Sequence, residues 1–110
     1  MFNFLQDMNI YNKRLVDNSV LDGSTIIDTC RVSDGEKPFE TGIQCPKYNN
    51  NKWVIVEGYN TKEDAQKGHN KWVGVMSANN LPEKLVDCGN SEISKLCSIF
   101  GFDMEFPAEF

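Results

Sequence analysis

Residues 53–80 have the sequence WVIVEGYNTKEDAQKGHNKWVGVMSANN, in which a strand pattern passes directly into a helix pattern. The first four positions are apolar on both faces, which is typical of a central strand. Thr61 is then suited to cap a helix, and the acids Glu63 and Asp64 favour the positive end of the helix dipole. The spacing predicts a helix over residues 62–79, with one apolar stripe formed by Ala65, His69, Trp72, Val73 and Met76.

Two further strands are predicted before this unit. Residues 25–32 are rich in β-branched side chains, and residues 33–36 carry turn chemistry through Asp34 and Gly35. Residues 39–45 alternate, so that one face of the strand is predicted to be half-buried and to carry Phe39, Thr41, Ile43 and Cys45. The three strands are predicted to form an antiparallel β-meander that leads directly into the helix.

The remaining segments carry weaker patterns. Residues 84–88 form either a short fourth strand or an extended connector. Residues 90–101 fit a second short helix, with apolar positions at Ile93, Leu96, Cys97 and Phe100 and a stop at Gly101. Residues 1–24 are interpreted as an N-terminal arm, with a turn signal at Asp22 and Gly23. The apolar residues near its start dock either on the domain itself or on a neighbouring subunit. Residues 102–110 are an acidic aromatic tail that forms an edge strand or docks elsewhere.

These elements predict one α+β domain over residues 25–101. In it, an antiparallel three- to four-stranded β-meander packs against one main helix, and a second short C-terminal helix follows. The length of 110 residues suits a single core.

The formal charge of -5 argues against nucleic-acid binding, which requires clustered Lys and Arg. Mimicry of DNA is also disfavoured, because the acids are scattered rather than gathered on one face. Residues 1–7 do not form a secretory signal, and no stretch is long enough to span a membrane. We therefore expect synthesis in the cytoplasm and no direct contact with membranes.

The four cysteines lack the closely spaced pairs of structural zinc sites. Cys45 and Cys97 lie on predicted apolar faces, so core packing is the preferred interpretation and no metal is expected. A disulfide from Cys30 to Cys45 is disfavoured, because the predicted hairpin places Cys30 opposite residue 41. A bulge would change that register.

No catalytic constellation is evident. His69, the one histidine, lies between Ala65 and Trp72 on the apolar stripe, where a histidine usually packs its ring and bonds one nitrogen. Glu40 and Glu57 lie on neighbouring strands, but nothing indicates that they converge in a pocket. Nucleotide-binding and hydrolase motifs are missing from the sequence. The chain is therefore predicted to be non-enzymatic and to use no cofactor.

Three aromatic residues, Trp53, Tyr59 and Trp72, are placed where the third strand meets the helix. Such a cluster is either a ligand platform or part of the core. We predict that it belongs to the core.

Three short segments stand out in the sequence: residues 28–32 (DTCRV), 38–41 (PFET) and 53–57 (WVIVE). They are followed by Thr61, Glu63, Ala65, Gly68-His69 and Trp72-Val73. Together, these residues resemble small proteins of tailed bacteriophages and prophages. The resemblance covers about residues 25–87. Most of that group is uncharacterised, so the resemblance implies a phage setting and no catalytic residues.

A phage setting favours a virion structural or assembly protein that contacts other phage structural proteins or copies of itself. Its location would be the host cytoplasm during synthesis and then the virion. The alternative is a small acidic protein that binds and inhibits a host protein; an enzyme that uses His69 or a cysteine is a third hypothesis. The candidate partner contacts are the apolar residues of the two ends: Phe2, Phe4, Leu5, Phe102, Phe106 and Phe110.

Overall fold

The computed structural model describes residues 11–33, 35–90 and 104–109. Its main element is an antiparallel sheet of four strands in chain order: β1 (Leu15–Leu21), β2 (Thr25–Arg31), β3 (Phe39–Gln44) and β4 (Val54–Tyr59). Helix α1 (Lys62–Ser77) packs on one face and contacts all four strands. This confirms the predicted α+β class. The predicted second helix lies outside the described residues.

Strand β1 was not predicted. Leu15–Leu21 falls within the predicted N-terminal arm, but these residues pair with β2 along most of its length, so the arm interpretation is wrong for them. The connecting turn has positive φ at Asp22 (50°) and Gly23 (70°), and the Ser24 amide donates to the Leu21 carbonyl at 3.1 Å. Asp-Gly is a preferred pair for this type I′ hairpin turn.

Strand β4 is the last strand of the sheet, and the prediction of a central strand is wrong. Its register with β3 shifts between Thr41 and Gly42, which marks a bulge. The free side of β4 is partly covered, because the Cys88 amide donates to the Ile55 carbonyl at 2.9 Å. Both faces of β4 are apolar because Val54 and Val56 lie in the core, whereas Trp53 and Ile55 lie on the opposite side of the sheet. This pattern resembles that of a central strand.

The two predictions left open for the C-terminal half are resolved by a second small sheet. Lys84–Val86 forms β5, which pairs with β6 (Glu105–Pro107) rather than joining the main sheet. Leu85 and Phe106 are direct partners in this pairing, and both pack against the core. The tail therefore contributes an edge strand.

The core lies between α1 and the face of the sheet that it covers. It consists of fully or nearly fully buried side chains from the strands, the following loops and the helix: Ile27, Ile43, Cys45, Tyr48, Val54, Val56, Met76 and Leu85. Thr41, Ile43 and Cys45 are all buried, which confirms the alternation predicted for β3. Ala65, His69 and Met76 are buried in α1, which confirms the predicted apolar stripe.

The cysteines in the described residues are free thiols: Cys30, Cys45 and Cys88. Cys30 pairs with Glu40 in the β2–β3 register, one residue from the predicted partner. Cys45 is buried at 3% exposure and packs in the core, as predicted.

Thr61 caps α1 as predicted: its hydroxyl accepts a hydrogen bond from the Asp64 amide at 3.1 Å. Thr61→Ala is expected to lower the free energy of unfolding by about 1 kcal/mol, because that amide loses its partner. Thr61→Ser is the matched control and should retain most of the stability. Urea denaturation measures both, and an equal loss in the two variants would contradict the cap.

Candidate functional site

The face of the sheet opposite α1 carries an apolar groove of about 390 Å³. We call this feature the outer groove. Its apolar part is formed by Val20, Ile26, Gly42, Trp53 and Ile55, and its polar end by Tyr11, Asn18, Asp28, Cys30 and Glu40. Strand alternation places these side chains away from the helix, because their neighbours in sequence face the core.

The middle of the groove lies over Gly42, which has no side chain to fill it. A Cβ atom at Gly42 would lie 3.2 Å from Cε3 of Trp53 and 3.3 Å from Cδ1 of Ile55. Trp53 and Ile55 therefore lie against bare backbone. Trp53 is 45% exposed and Val20 is 57% exposed, so the groove opens to solvent between two large apolar side chains.

Trp53 corrects the sequence interpretation, which placed it in the core with Tyr59 and Trp72. Tyr59 is buried and Trp72 packs against the core, but Trp53 lies on the outer face. The physical reason is alternation: Val54 enters the core at 1% exposure, so Trp53 and Ile55 on either side of it face outward.

The polar end of the groove is organised by Asp28. Its Oδ2 atom accepts hydrogen bonds from the hydroxyl of Tyr11 and, at 2.8 Å, from Nδ2 of Asn18. Burial and the neighbouring Asp28 carboxylate raise the pKa of Tyr11 to about 12. The phenol therefore remains a hydrogen-bond donor across the physiological range, and it fixes Tyr11 over β2.

Cys30 lies at the same end, but its environment does not favour a nucleophile. Burial, followed by the charges of Asp28 and Glu40, raises the pKa of the Cys30 thiol to about 11. Because the thiolate is the reactive form, a thiol that stays protonated at neutral pH reacts slowly.

A second polar feature crosses the interior between the sheet and α1. His69 is 1% exposed, and both of its ring nitrogens have partners: Nδ1 lies 2.7 Å from the Thr29 hydroxyl and Nε2 lies 2.9 Å from the Ser19 hydroxyl. The Thr29 hydroxyl lies 2.6 Å from the Thr41 hydroxyl, and the Thr41 hydroxyl lies 3.0 Å from the Tyr59 hydroxyl. Tyr59 donates to Oε1 of Glu57 at 3.0 Å. We call these six residues the interior chain.

Proton counting assigns every donor in the interior chain. The Glu57 carboxylate only accepts, so Tyr59 donates to it and must accept from Thr41. Thr41 must then accept from Thr29, and Thr29 from His69 Nδ1–H. In the neutral imidazole Nε2 is left as an acceptor for the Ser19 hydroxyl. One arrangement therefore satisfies all the groups, with a carboxylate at one end.

The pKa values of His69 and Glu57, two residues of the interior chain, are shifted in the direction that this arrangement requires. Burial lowers the pKa of His69, and this outweighs the Asp17 carboxylate, whose Oδ2 lies 3.7 Å from Nε2. Burial alone would raise the pKa of Glu57, but hydrogen bonds from Lys71, Trp72 and Tyr59 lower it. A neutral imidazole and an ionised carboxylate are therefore favoured together at neutral pH.

His69 accordingly has the structural role that its position on the stripe predicted, although both nitrogens are bonded rather than one. Glu40 and Glu57 do not act as a pair. Glu40 accepts from Nδ2 of Asn90 at 2.6 Å, whereas Glu57 accepts from Lys71 at 2.6 Å on the helix side.

Of the candidate partner contacts at the two ends, only Phe106 lies in the described residues. It is half-buried in β6 and packs against the core. The other candidates, Phe2, Phe4, Leu5, Phe102 and Phe110, lie outside the described residues.

The outer groove itself was missed from the sequence. A usable signal was present, because an Asp-Gly pair separates Leu15–Leu21 from Thr25–Arg31, and both runs contain β-branched residues. A hairpin interpretation of these runs would have placed Val20 beside Ile26 on one face.

In the described ranges, no cluster of three or more His, Cys, Asp or Glu side chains is arranged to hold a metal ion. Across the same residues, no helix has the length and apolar character needed to cross a membrane. The chain matches no protein-family model, no curated protein and no solved structure.

Proposed function

We propose that this protein acts by binding other proteins through the outer groove, and that it is a non-enzymatic structural or assembly component of a bacteriophage particle. The observation that carries the proposal is the exposed apolar face between Val20 and Trp53, as the described residues leave it. Contiguous exposed apolar surface on a sheet usually marks an interaction site.

The form of the groove suits a protein partner. It is open, and aromatic side chains from Trp53 and Tyr11 stand at its margins. Tyr and Trp are enriched among residues that dominate binding energy, because they bury a large area at little cost in conformational entropy. Asp28 and Asn18 are already hydrogen-bonded to each other. A partner that covers them therefore does not leave these two side chains without a hydrogen-bond partner.

The phage setting comes from the resemblance of residues 25–87 to small phage and prophage proteins. A symmetric particle contains many copies of its components, and one apolar patch per copy provides one of the contacts that assembly requires. The interior position of His69 and the raised pKa of the Cys30 thiol support a non-enzymatic role.

Inhibition of a host protein is the second candidate function. It is favoured by the net charge of -5 and by the acids Asp28 and Glu40 at the polar end of the groove, which suit a basic partner surface. In that case affinity capture from host lysate returns one dominant protein at near-equal stoichiometry, and purified particles lack the chain.

Val20→Asp is expected to reduce incorporation into particles about 100-fold, because it places an unpaired charge in the centre of the apolar contact. Quantitative mass spectrometry of purified particles measures the copy number. Val86→Asp is the matched control, since Val86 is also exposed, at 39%, but lies in β5 away from the groove.

Both variants should keep the stability of the isolated domain within about 1 kcal/mol, because both side chains are exposed. Normal incorporation of Val20→Asp would rule out the groove as the assembly contact. Absence of the unmodified chain from particles would rule out the virion role altogether.

A further inference from the structure

We propose that the N-terminal segment of the same chain, residues 1–10, binds in the outer groove and competes there with the partner. The inference rests on the proposed function, because it assigns an occupant to the same surface. It also gives that surface a means of regulation: a partner must displace the segment before it can bind.

The point at which the segment joins the domain supports this assignment. Residue 10 is bonded to Tyr11, and Tyr11 itself lines the groove. The Tyr11 hydroxyl donates to Asp28 of β2, so the chain is held over the outer face before it enters β1 at Leu15. The segment therefore begins at the margin of the groove.

The segment is long enough to reach the far side. Four strands at the usual spacing of about 4.8 Å place β4 about 14 Å from β1. Ten residues span about 33 Å when extended and about 15 Å as a helix. Either conformation reaches from Tyr11 to Trp53.

The chemistry of the segment matches that of the groove. Six of its ten residues are large and apolar, and Asp7 is its one charged side chain. The apolar residues are Met1, Phe2, Phe4, Leu5, Met8 and Ile10. The groove offers the complementary surface around Val20, Trp53 and Ile55. Burying large apolar side chains against such a surface is favourable.

The covalent connection favours the segment of the same chain over that of a second copy. A segment tethered at the margin of its site has an effective concentration in about the millimolar range. A second copy at micromolar concentration is then outcompeted about 1000-fold for equal contacts.

The test uses the full chain in solution. Nuclear Overhauser effects are measured between the rings of Phe2 and Phe4 and the methyl groups of Val20, Ile26 and Ile55. A mixture of isotope-labelled and unlabelled copies separates contacts within one chain from contacts between chains. Contacts within one chain are expected; contacts only between chains, or none, would overturn the proposal.

A variant carrying Phe2→Ser, Phe4→Ser and Leu5→Ser provides the binding measurement. A synthetic peptide of residues 1–10 should bind this variant, and it should bind the unmodified chain at least about 10-fold more weakly because the groove is occupied. Asn3→Ser with Gln6→Ser is the matched control and should behave as the unmodified chain. Equal binding of the peptide to all three proteins would contradict the proposal.

The outcomes separate this inference from the proposed function. If the peptide does not bind but incorporation into particles still depends on Val20, the inference fails and the function stands. If the peptide binds as expected but Val20→Asp is incorporated normally, the function fails and the intramolecular contact stands.

Discussion

Gly68→Ala is expected to lower the free energy of unfolding by about 3 kcal/mol, although it adds only one methyl group. A Cβ atom at Gly68 would lie 2.1 Å from the hydroxyl oxygen of Tyr59 and 2.2 Å from two of its ring carbons. The ring is buried and its hydroxyl is bonded to Thr41 and Glu57, so a shift that relieves the clash breaks these hydrogen bonds. Helix propensity favours alanine by about 1 kcal/mol, and the clash outweighs it.

Gly74→Ala is the matched control on the same helix. Gly74 is exposed, and a Cβ atom there would meet nothing within 4 Å. This substitution should raise the free energy of unfolding by about 0.5–1 kcal/mol through propensity alone. Urea denaturation of the two variants should therefore give changes of opposite sign.

A Tyr59→Leu background tests the cause of the Gly68 effect. With the ring removed, Gly68→Ala should cost less than about 1 kcal/mol, and the difference between the two backgrounds gives the interaction energy. If the cost is unchanged in that background, contact with Tyr59 is not the reason for glycine at this position.

The close approach of α1 to β4 is also what gives the sheet two unlike faces. Tyr59 and Glu57 of β4 contact the helix, and Glu57 accepts from both Lys71 and Trp72. The helix is thereby held over one face, and the outer groove lies on the other. A sheet face that α1 does not cover follows from this packing.

Local patterns were sufficient to predict α1 and the β2–β3 hairpin. The helix begins at Lys62 as predicted, because the Thr61 cap and the first-turn acids act on neighbouring residues. It ends at Ser77, two residues before the predicted end. Alternation in β3 predicted its buried face for the same reason: the relevant periodicity lies within the strand itself.

The order of the strands and the outer groove depend on contacts that the local patterns do not contain. The pattern of β4 resembles that of a central strand because one of its faces lies in the core and the other carries Ile55 in the outer groove. The groove requires Val20, Gly42 and Trp53 to be brought together from three strands. Their positions depend on the register of each pairing and on the bulge in β4.

The interior chain was predictable only in part. Thr29 and Thr41 alternate onto the buried faces of their strands, and His69 lies on the apolar stripe of the helix. Their mutual distances depend on the β2–β3 register, in which Thr29 lies directly opposite Thr41. A one-residue change in that register would turn one of the two hydroxyls away.

His69→Ala is expected to lower the free energy of unfolding by about 4 kcal/mol. The substitution empties a fully buried site and leaves the Thr29 and Ser19 hydroxyls without their partner. His69→Phe fills the site with a slightly larger ring and should cost less, about 3 kcal/mol, because it leaves no cavity although it loses the hydrogen bonds and crowds the two hydroxyls. Urea denaturation at pH 7.5 measures both variants.

The same histidine predicts how stability depends on pH. Its pKa is lowered in the folded protein, so the unfolded chain takes up a proton first as the pH falls below the ordinary value of 6.5. The stabilisation due to neutral His69 is complete above pH 6.5 and is lost as the pH falls toward the folded pKa. The slope reaches at most about 1.4 kcal/mol per pH unit.

Acidic groups act in a separate and lower window. Hydrogen bonds lower the pKa of Glu57 below 4.5, and a hydrogen bond from Gln66 lowers that of Asp17 below 3.8. Their contributions are complete above these values and are lost only at lower pH. Loss of stability between about pH 6.5 and 5 is therefore assigned to His69.

His69→Phe is also the control for this assignment, because the phenylalanine side chain has no group that binds a proton. Its free energy of unfolding should be nearly constant from pH 7.5 to 5.5, whereas that of the unmodified protein falls. A fall of equal size in the variant would assign the titration to another group. A fold unaffected by His69→Ala would instead return this residue to the list of catalytic candidates, because a histidine retained for chemistry need not support the core.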